Sequence, residues 1–129
     1  MQLNQKGSFS ARAFTAGGAL PVVGATVRIF GAEEGNADVY FSLVTDNDGV
    51  TEVITLPAPA EEYSLTPNPN EPPFAIYDVQ VVADGYYEKR ILGIKIFASR
   101  HTDLPINMIP DSGNGAEDFP RGNVNANIN

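Results

Sequence analysis

Along this chain apolar and polar residues alternate in short runs with a period of two, and no window shows the i, i+3, i+4, i+7 pattern of an amphipathic helix. SFSARAFTA sets Phe9, Ala11 and Ala13 against Ser8, Ser10 and Arg12. GATVRIF puts Ala25, Val27 and Ile29 on one side, and DVYFSLV does the same with Val39, Phe41 and Leu43. TEVITL is largely β-branched, and IYDVQVVA aligns Tyr77, Val79 and Val81. KRILGIKIFA carries two overlapping phases joined at Gly93, and HTDLPINMI aligns Leu104, Ile106 and Met108. Seven short strands separated by turns predict an all-β fold, a seven-stranded Greek-key β-sandwich.

The segments between strands carry turn chemistry. In TDNDGV, Asp46 or Asn47 can cap backbone amides and Gly49 can take positive φ. AGGALPVVGA reads as a longer link, with Pro21 and Gly24 bending the chain into the second strand, and Gly31 to Asp38 as a loose hairpin. Residues 56–74 hold six prolines and read as an extended surface loop of polyproline character. The last nineteen residues are rich in Gly and Asn with few apolar anchors, a composition that does not fold in isolation. The expected organisation is an N-terminal arm (1–7), a sandwich (8–110) with a proline-rich surface loop (57–74), and a Gly/Asn-rich tail (111–129).

Composition narrows the function classes. At 129 residues the chain fits one domain with a modest core. It has no cysteine, which removes disulfides, thiolate catalysis and finger-type zinc sites, and no tryptophan to stack on a ligand. No apolar run reaches the ~20 residues needed to span a bilayer, so membrane insertion is not expected. The N-terminus lacks the apolar stretch of a secretory signal.

The net charge of −8 is unevenly spread. Residues 31–84 hold eleven acids and no base, while residues 1–30 hold three bases and no acid. A chain this acidic repels phosphate backbones, so nucleic acid is not an expected partner. The plain expectation is that basic ends and acidic middle lie on adjacent strands and partly neutralise one another.

The order of these motifs has a family look. ALPVVGATVRIF, LVTDNDGVTEVITLPAP, YDVQVVADGYY and the closing IKIF and LPINMIP resemble the transthyretin-like (prealbumin-like), carboxypeptidase-regulatory-like, Ig-like sandwich domains. More narrowly, they are similar to the small accessory domain of spore cortex-lytic enzymes. The resemblance covers about residues 8–110. It implies a Gly85 corner with Tyr86 over the sandwich end, and an accessory role without lytic chemistry, because in that family catalysis resides on a separate domain.

Catalytic constellations of related sandwiches are not matched. Hydroxyisourate hydrolases and intradiol dioxygenases use several histidines, whereas His101 stands alone here. Pilin-type isopeptide bonds need a lysine and a buried acid. Tyr63-Ser64-Leu65-Thr66 lacks the acid, and a first strand read from Ser8 lacks the lysine. His101 and Asp103, two residues apart on a strand, share a face and would be exposed together, and a triad needs more than that. Asp46 and Asp48 are weak metal candidates, since a calcium loop requires further ligands that are not in place. Pairs such as Glu33-Glu34 cannot flank a sugar from opposite sides.

The expectation is therefore a non-enzymatic chain without cofactor. It would serve as a structural or interaction domain of the bacterial envelope or spore surface, docking a protein partner or self-assembling through its arm and tail. The alternative is an accessory module binding peptidoglycan or another cell-wall glycan. Candidate contact residues are Tyr40, Tyr63 and Tyr87, which could offer flat faces to sugars, Pro67, Pro69 and Pro72 of the loop, and Asn123 and Asn125 of the tail.

Overall fold

The computed structural model describes residues 3, 5–60 and 73–111. Its strands are β1 (Gln5–Thr15), β2 (Leu20–Pro21), β3 (Thr26–Gly31), β4 (Tyr40–Val44), β5 (Ile54–Ala58), β6 (Ala75–Val82), β7 (Lys89–Ile96) and β8 (His101–Asn107). They form two sheets packed face to face. In one, β1 pairs with β2 and β5 along one edge and with β8, in parallel, along the other; the second runs β4-β3-β6-β7. The chain changes sheet between β2 and β3, β4 and β5, β5 and β6, and β7 and β8.

The core follows the alternation seen in the sequence. Phe9, Ala11, Ala13, Ala25, Val27, Ile29, Tyr77, Val79, Val81, Ile106 and Met108 are all at most 1% exposed. Each of the larger side chains contributes roughly 1.5–3 kcal/mol by leaving water. Val39, Phe41 and Leu104 complete the same faces as half-buried side chains at the rim.

The structure changes the expected layout in three places. Among the described residues there are eight strands, not seven, because Leu20 and Pro21 pair with Thr15 and Phe14 as β2. Two residues are too few to show a period, and the reversal that makes them pair is built by Gly17 and Gly18 at φ 67° and 94°. β1 starts at Gln5, so residues 5–7 of the expected arm pair with β5, and the first strand does carry a lysine, the exposed Lys6. Polar QKGS has no alternation to reveal this. Gly7 is needed there because a Cβ would collide with the Phe97 carbonyl oxygen. Finally, Pro57 and Ala58 belong to β5, so the proline-rich stretch begins inside the sheet.

Other local readings hold. Asp46 Oδ1 accepts the amides of Asp48 (2.9 Å) and Val50 (3.0 Å), closing the TDNDGV turn. The two phases of the seventh strand are a β-bulge: the β6–β7 register shifts between Tyr77 and Val79, and Gly93 sits at φ 75°. Tyr86 lies half-buried against the core and bridges to Pro110.

Candidate functional site

His101 and Asp103 do share the outer face of β8, but they do not act on one another. The imidazole lies between two serines of β1, with Nδ1 2.8 Å from Ser8 Oγ and Nε2 3.0 Å from Ser10 Oγ. Ser10 is only 6% exposed beneath it. In the neutral ring one nitrogen donates and the other accepts, so both hydroxyls are satisfied. Asp103 instead receives Arg12 Nε at 2.9 Å. The ring therefore has no carboxylate to orient it, and the cluster works as a clasp across the parallel β1–β8 seam.

Among the described residues, strands of the acidic middle do lie beside those of the basic ends, β5 against β1 and β6 against β3 and β7, but no ion pair joins the two. The ion pairs among the described residues are Arg12–Asp103 and Arg90–Glu88. Middle carboxylates are held by backbone amides. Glu33 Oε1 takes Ile76 N at 2.9 Å, Asp78 Oδ1 takes Gly93 N at 3.0 Å, and Asp46 closes its own turn. Hydrogen bonds from Val50 and then Asp48 hold the Asp46 carboxyl below its ordinary range. Asp46 and Asp48 thus form a turn, and no group of three or more metal-ligating side chains occurs among the described residues.

Sheet edges are where a small sandwich can bind, because each exposes unpaired N–H and C=O groups. Successive residues of a strand direct these groups to opposite sides, so one known bond fixes the rest. On β8, the bonds Ser8 N to Arg100 O and Met108 N to Phe14 O turn the even residues toward β1. His101, Asp103, Pro105 and Asn107 face outward. Pro105 has no N–H to offer, and Lys89 Nζ occupies the Asn107 carbonyl at 3.1 Å.

On β5, Gly7, paired with Leu56, faces it because Ser8 faces β8. Thr55 and Pro57 are then left on the open side. Pro57 again lacks a donor, and its carbonyl is taken by Tyr77 Oη at 2.6 Å. On β7 the bulge twists the edge, Asp78 captures the Gly93 amide, and Arg90 and Lys95 project as exposed charges. A proline facing outward, a captured carbonyl, a bulge and edge charges all block strand addition.

β4 has none of these. Gly31 N donates to Val39 O and Thr45 N to Ala25 O, both at 3.0 Å, so the odd residues face β3. Tyr40, Ser42 and Val44 direct their amides and carbonyls to the open side. The strand reads YFSLV, without proline, charge or bulge, and Tyr40 and Val44 are 52% and 62% exposed. Phe30 stands against Tyr40 with ring centroids 5.3 Å apart. Exposed Asp38 and Asp46 flank the strand, and a groove lined by Lys6, Asp38, Val39, Tyr40, Phe41, Thr55 and Pro57 runs between it and β5.

The structure does not bring Tyr40 and Tyr87 together. Tyr40 lies at one end of β4, while the exposed Tyr87 lies at the opposite edge and end of the same sheet, with its amide on Ile109 O. Tyr63, Pro67, Pro69, Pro72, Asn123 and Asn125 lie outside the described residues. The β4 edge was missed in the sequence. The signal was there: of the edge strands, only YFSLV lacks both proline and charge, whereas ITLPA, HTDLPIN and KRILGIKI each carry one or the other.

No family model and no curated protein matches this chain. Solved structures do. The TIE protein of Bacillus anthracis is 16% identical with a TM-score of 0.53, over 82% of this chain and 17% of its own. The minor pilin of Streptococcus agalactiae is 14% identical with a TM-score of 0.52, over 91% and 47%. Hydroxyquinol 1,2-dioxygenase from Pseudomonas putida is 12% identical with a TM-score of 0.56, over 86% and 58%. At these identities the chain shares their β-sandwich fold, and that fold hosts unrelated functions. The chain spans about a sixth to three-fifths of the length of these structures.

Proposed function

We propose that this chain is a non-catalytic interaction domain that accepts an extended strand along the open edge of β4. The observation that carries the reading is the contrast among the four edges: three are blocked by identifiable devices, and β4 is left open with its amides and carbonyls facing solvent. Strand addition draws its affinity from main-chain hydrogen bonds and its selectivity from alternate side chains. Here those side chains would meet Tyr40, Ser42 and Val44 outside and the Val39–Phe41 groove inside.

Residues 31–60 carry acids and no base, and Asp38 and Asp46 flank the edge. The complementary partner is an apolar, alternating segment bounded by lysine or arginine. It would come from another protein or a second copy of this chain. The transthyretin-like motifs, similar to those of spore cortex-lytic accessory domains, support a place at the bacterial envelope or spore surface. A cell-wall glycan is the weaker reading, because Tyr40 and Tyr87, the exposed tyrosines among the described residues, stand too far apart to form one platform.

The test is an NMR titration of the full chain with the probe peptide Lys-Val-Thr-Val-Thr-Val-Lys. The expected outcome is a set of shifts confined to Tyr40–Val44 and the facing groove, abolished by Ser42→Pro. That substitution deletes an amide on the open side only and leaves the β3 pairing intact. Shifts elsewhere, or shifts that survive Ser42→Pro, would overturn the reading.

A further inference from the structure

The open edge of β4 is framed by an acid at each end, and the frame decides which strand the edge can take. Tyr40, Ser42 and Val44 turn their backbone groups outward. Asp38 stands two residues before Tyr40 and Asp46 two residues after Val44, and both are exposed. Asp38 also lines the groove toward β5.

A second copy of the chain is the first occupant to consider, because it is always present at the protein's own concentration. Two β4 strands can meet antiparallel about a twofold axis at Ser42, so that Tyr40 of each copy pairs with Val44 of the other. The backbone match is sound, and an aromatic ring beside a β-branched side chain is a favourable cross-strand pair. The charges are not. The same register brings Asp38 of each copy level with Asp46 of the other, so a like-charged pair forms at both ends, in a protein whose net charge is already −8. Lys6 reaches the groove, but no ion pair joins it to Asp38 among the described residues, and each end would set two acids against that one base. Moving the axis to Phe41 sets Asp38 opposite Val44 of the second copy, and moving it to Leu43 sets Asp46 opposite Tyr40. Neither slip relieves the edge.

A strand that fits must place a base against each acid. Asp38 and Asp46 are eight residues apart, so the two bases share that spacing and, by the period of two, lie on one face of the incoming strand. No two of this chain's eight lysines and arginines are eight residues apart. The matching strand therefore belongs to a different protein.

We infer that Asp38 and Asp46 form a charge gate, which keeps β4 from pairing with β4 of a second copy and admits a foreign strand carrying lysine or arginine at two positions eight residues apart, with alternating apolar residues between them. The inference rests on the docking reading above and names its partner. It also explains how an edge without proline, inward charge or bulge stays available: the repulsive element sits beside the hydrogen-bonding groups rather than among them.

Asp38→Lys tests the gate, because one substitution on an exposed turn converts both like-charged pairs of the symmetric register into opposite-charged ones. The wild type is expected to sediment as a monomer, and Asp38→Lys as a dimer at least about tenfold tighter. Adding Ser42→Pro is expected to return that variant to monomer. A wild-type dimer that Ser42→Pro dissolves, an Asp38→Lys chain that stays monomeric, or a dimer indifferent to Ser42→Pro would overturn the gate.

The partner is probed by NMR titration of the full wild-type chain with Lys-Val-Thr-Val-Thr-Val-Thr-Val-Lys and with the same peptide ended by glutamates. The lysine peptide is expected to bind about tenfold tighter, a preference that shrinks in about 1 M salt, where charges are screened beyond about 3 Å. Thr-Val-Lys-Val-Thr-Val-Lys-Val-Thr, of equal composition with its bases four apart, is expected to bind about threefold more weakly than the lysine-ended form, since its bases reach the acids only diagonally. Equal binding of all three at Tyr40–Val44 would overturn the gate and leave the docking reading standing. If no peptide shifted Tyr40–Val44 while Asp38→Lys dimerised through β4, the docking reading would fall and the exclusion of a second copy would remain.

Discussion

β4 and β5 face each other across the same groove, yet they meet solvent differently. β5 directs only Thr55 and Pro57 outward; the proline brings no donor, and its carbonyl is held by a buried tyrosine of the other sheet. β4 directs Tyr40, Ser42 and Val44 outward with every backbone group available. The two strands have equal length and similar apolar content, so hydrophobicity does not separate them. What separates them is one ring at the backbone nitrogen and one hydroxyl at a carbonyl. In a small sandwich, the choice between a closed edge and a binding edge rests on single backbone atoms.

The comparison is broken most severely by removing the guard of β5. Tyr77 is fully buried, and its hydroxyl satisfies the Pro57 carbonyl. Tyr77→Phe leaves that carbonyl without its partner and is expected to lower stability by about 1–2 kcal/mol, measured by urea unfolding. Burial pushes the Tyr77 hydroxyl from 10.0 to about 12. A group raised on folding contributes stability that is complete below its unfolded value and is lost as pH climbs through its folded one. The wild-type melting temperature is therefore expected to fall between pH 10 and 12 by more than that of Tyr77→Phe. Parallel curves for the two proteins would show that this hydroxyl is not the guard.

A smaller effect follows from opening β8. Pro105 faces solvent, so Pro105→Thr restores an outward amide without touching the ladder to β1. Surface changes of this kind usually stay within about 0.5 kcal/mol, so the melting temperature should barely move. Self-association is where the change is expected to appear, with sedimentation showing concentration-dependent dimers that the wild type lacks at the same concentration. If Pro105→Thr stayed as monodisperse as the wild type, proline would not be what closes that edge.

How much of this was legible in the sequence depends on how local the cause is. The inward faces of β1, β3, β6 and β8 were readable because alternation over five or more residues is a direct record of one buried side. The Gly93 phase change marked a real bulge, and Asp46 caps the turn it was expected to cap. β2 was not readable, because its two residues are paired by the glycines before them rather than by their own pattern. Nor was the clasp of Ser8 and Ser10 around His101, which join residues more than ninety positions apart through a parallel pairing that no local signal announces. The open edge lies between these cases. Its lack of proline and charge is visible in YFSLV, but its meaning depends on knowing which strands end the sheets.

The smallest effect concerns the turn that ends β4. Asp46 is fully exposed, and amides from Val50 and Asp48 hold its carboxyl below the usual 3.8. A group lowered on folding contributes stability above its unfolded value and loses it as pH falls through the folded one. The Asp48 and Val50 amide shifts are therefore expected to titrate together with a midpoint under 3.8, and Asp46→Asn is expected to abolish that titration while leaving Tyr77 and the far edge unchanged. Independent titration of the two amides, or a midpoint at or above the ordinary carboxylate value, would mean that the turn does not depend on this carboxylate. The exit of β4, and with it the alignment of its open backbone, would then have to be set by Gly49 and the Thr45 hydrogen bonds to Val22 and Ala25 instead.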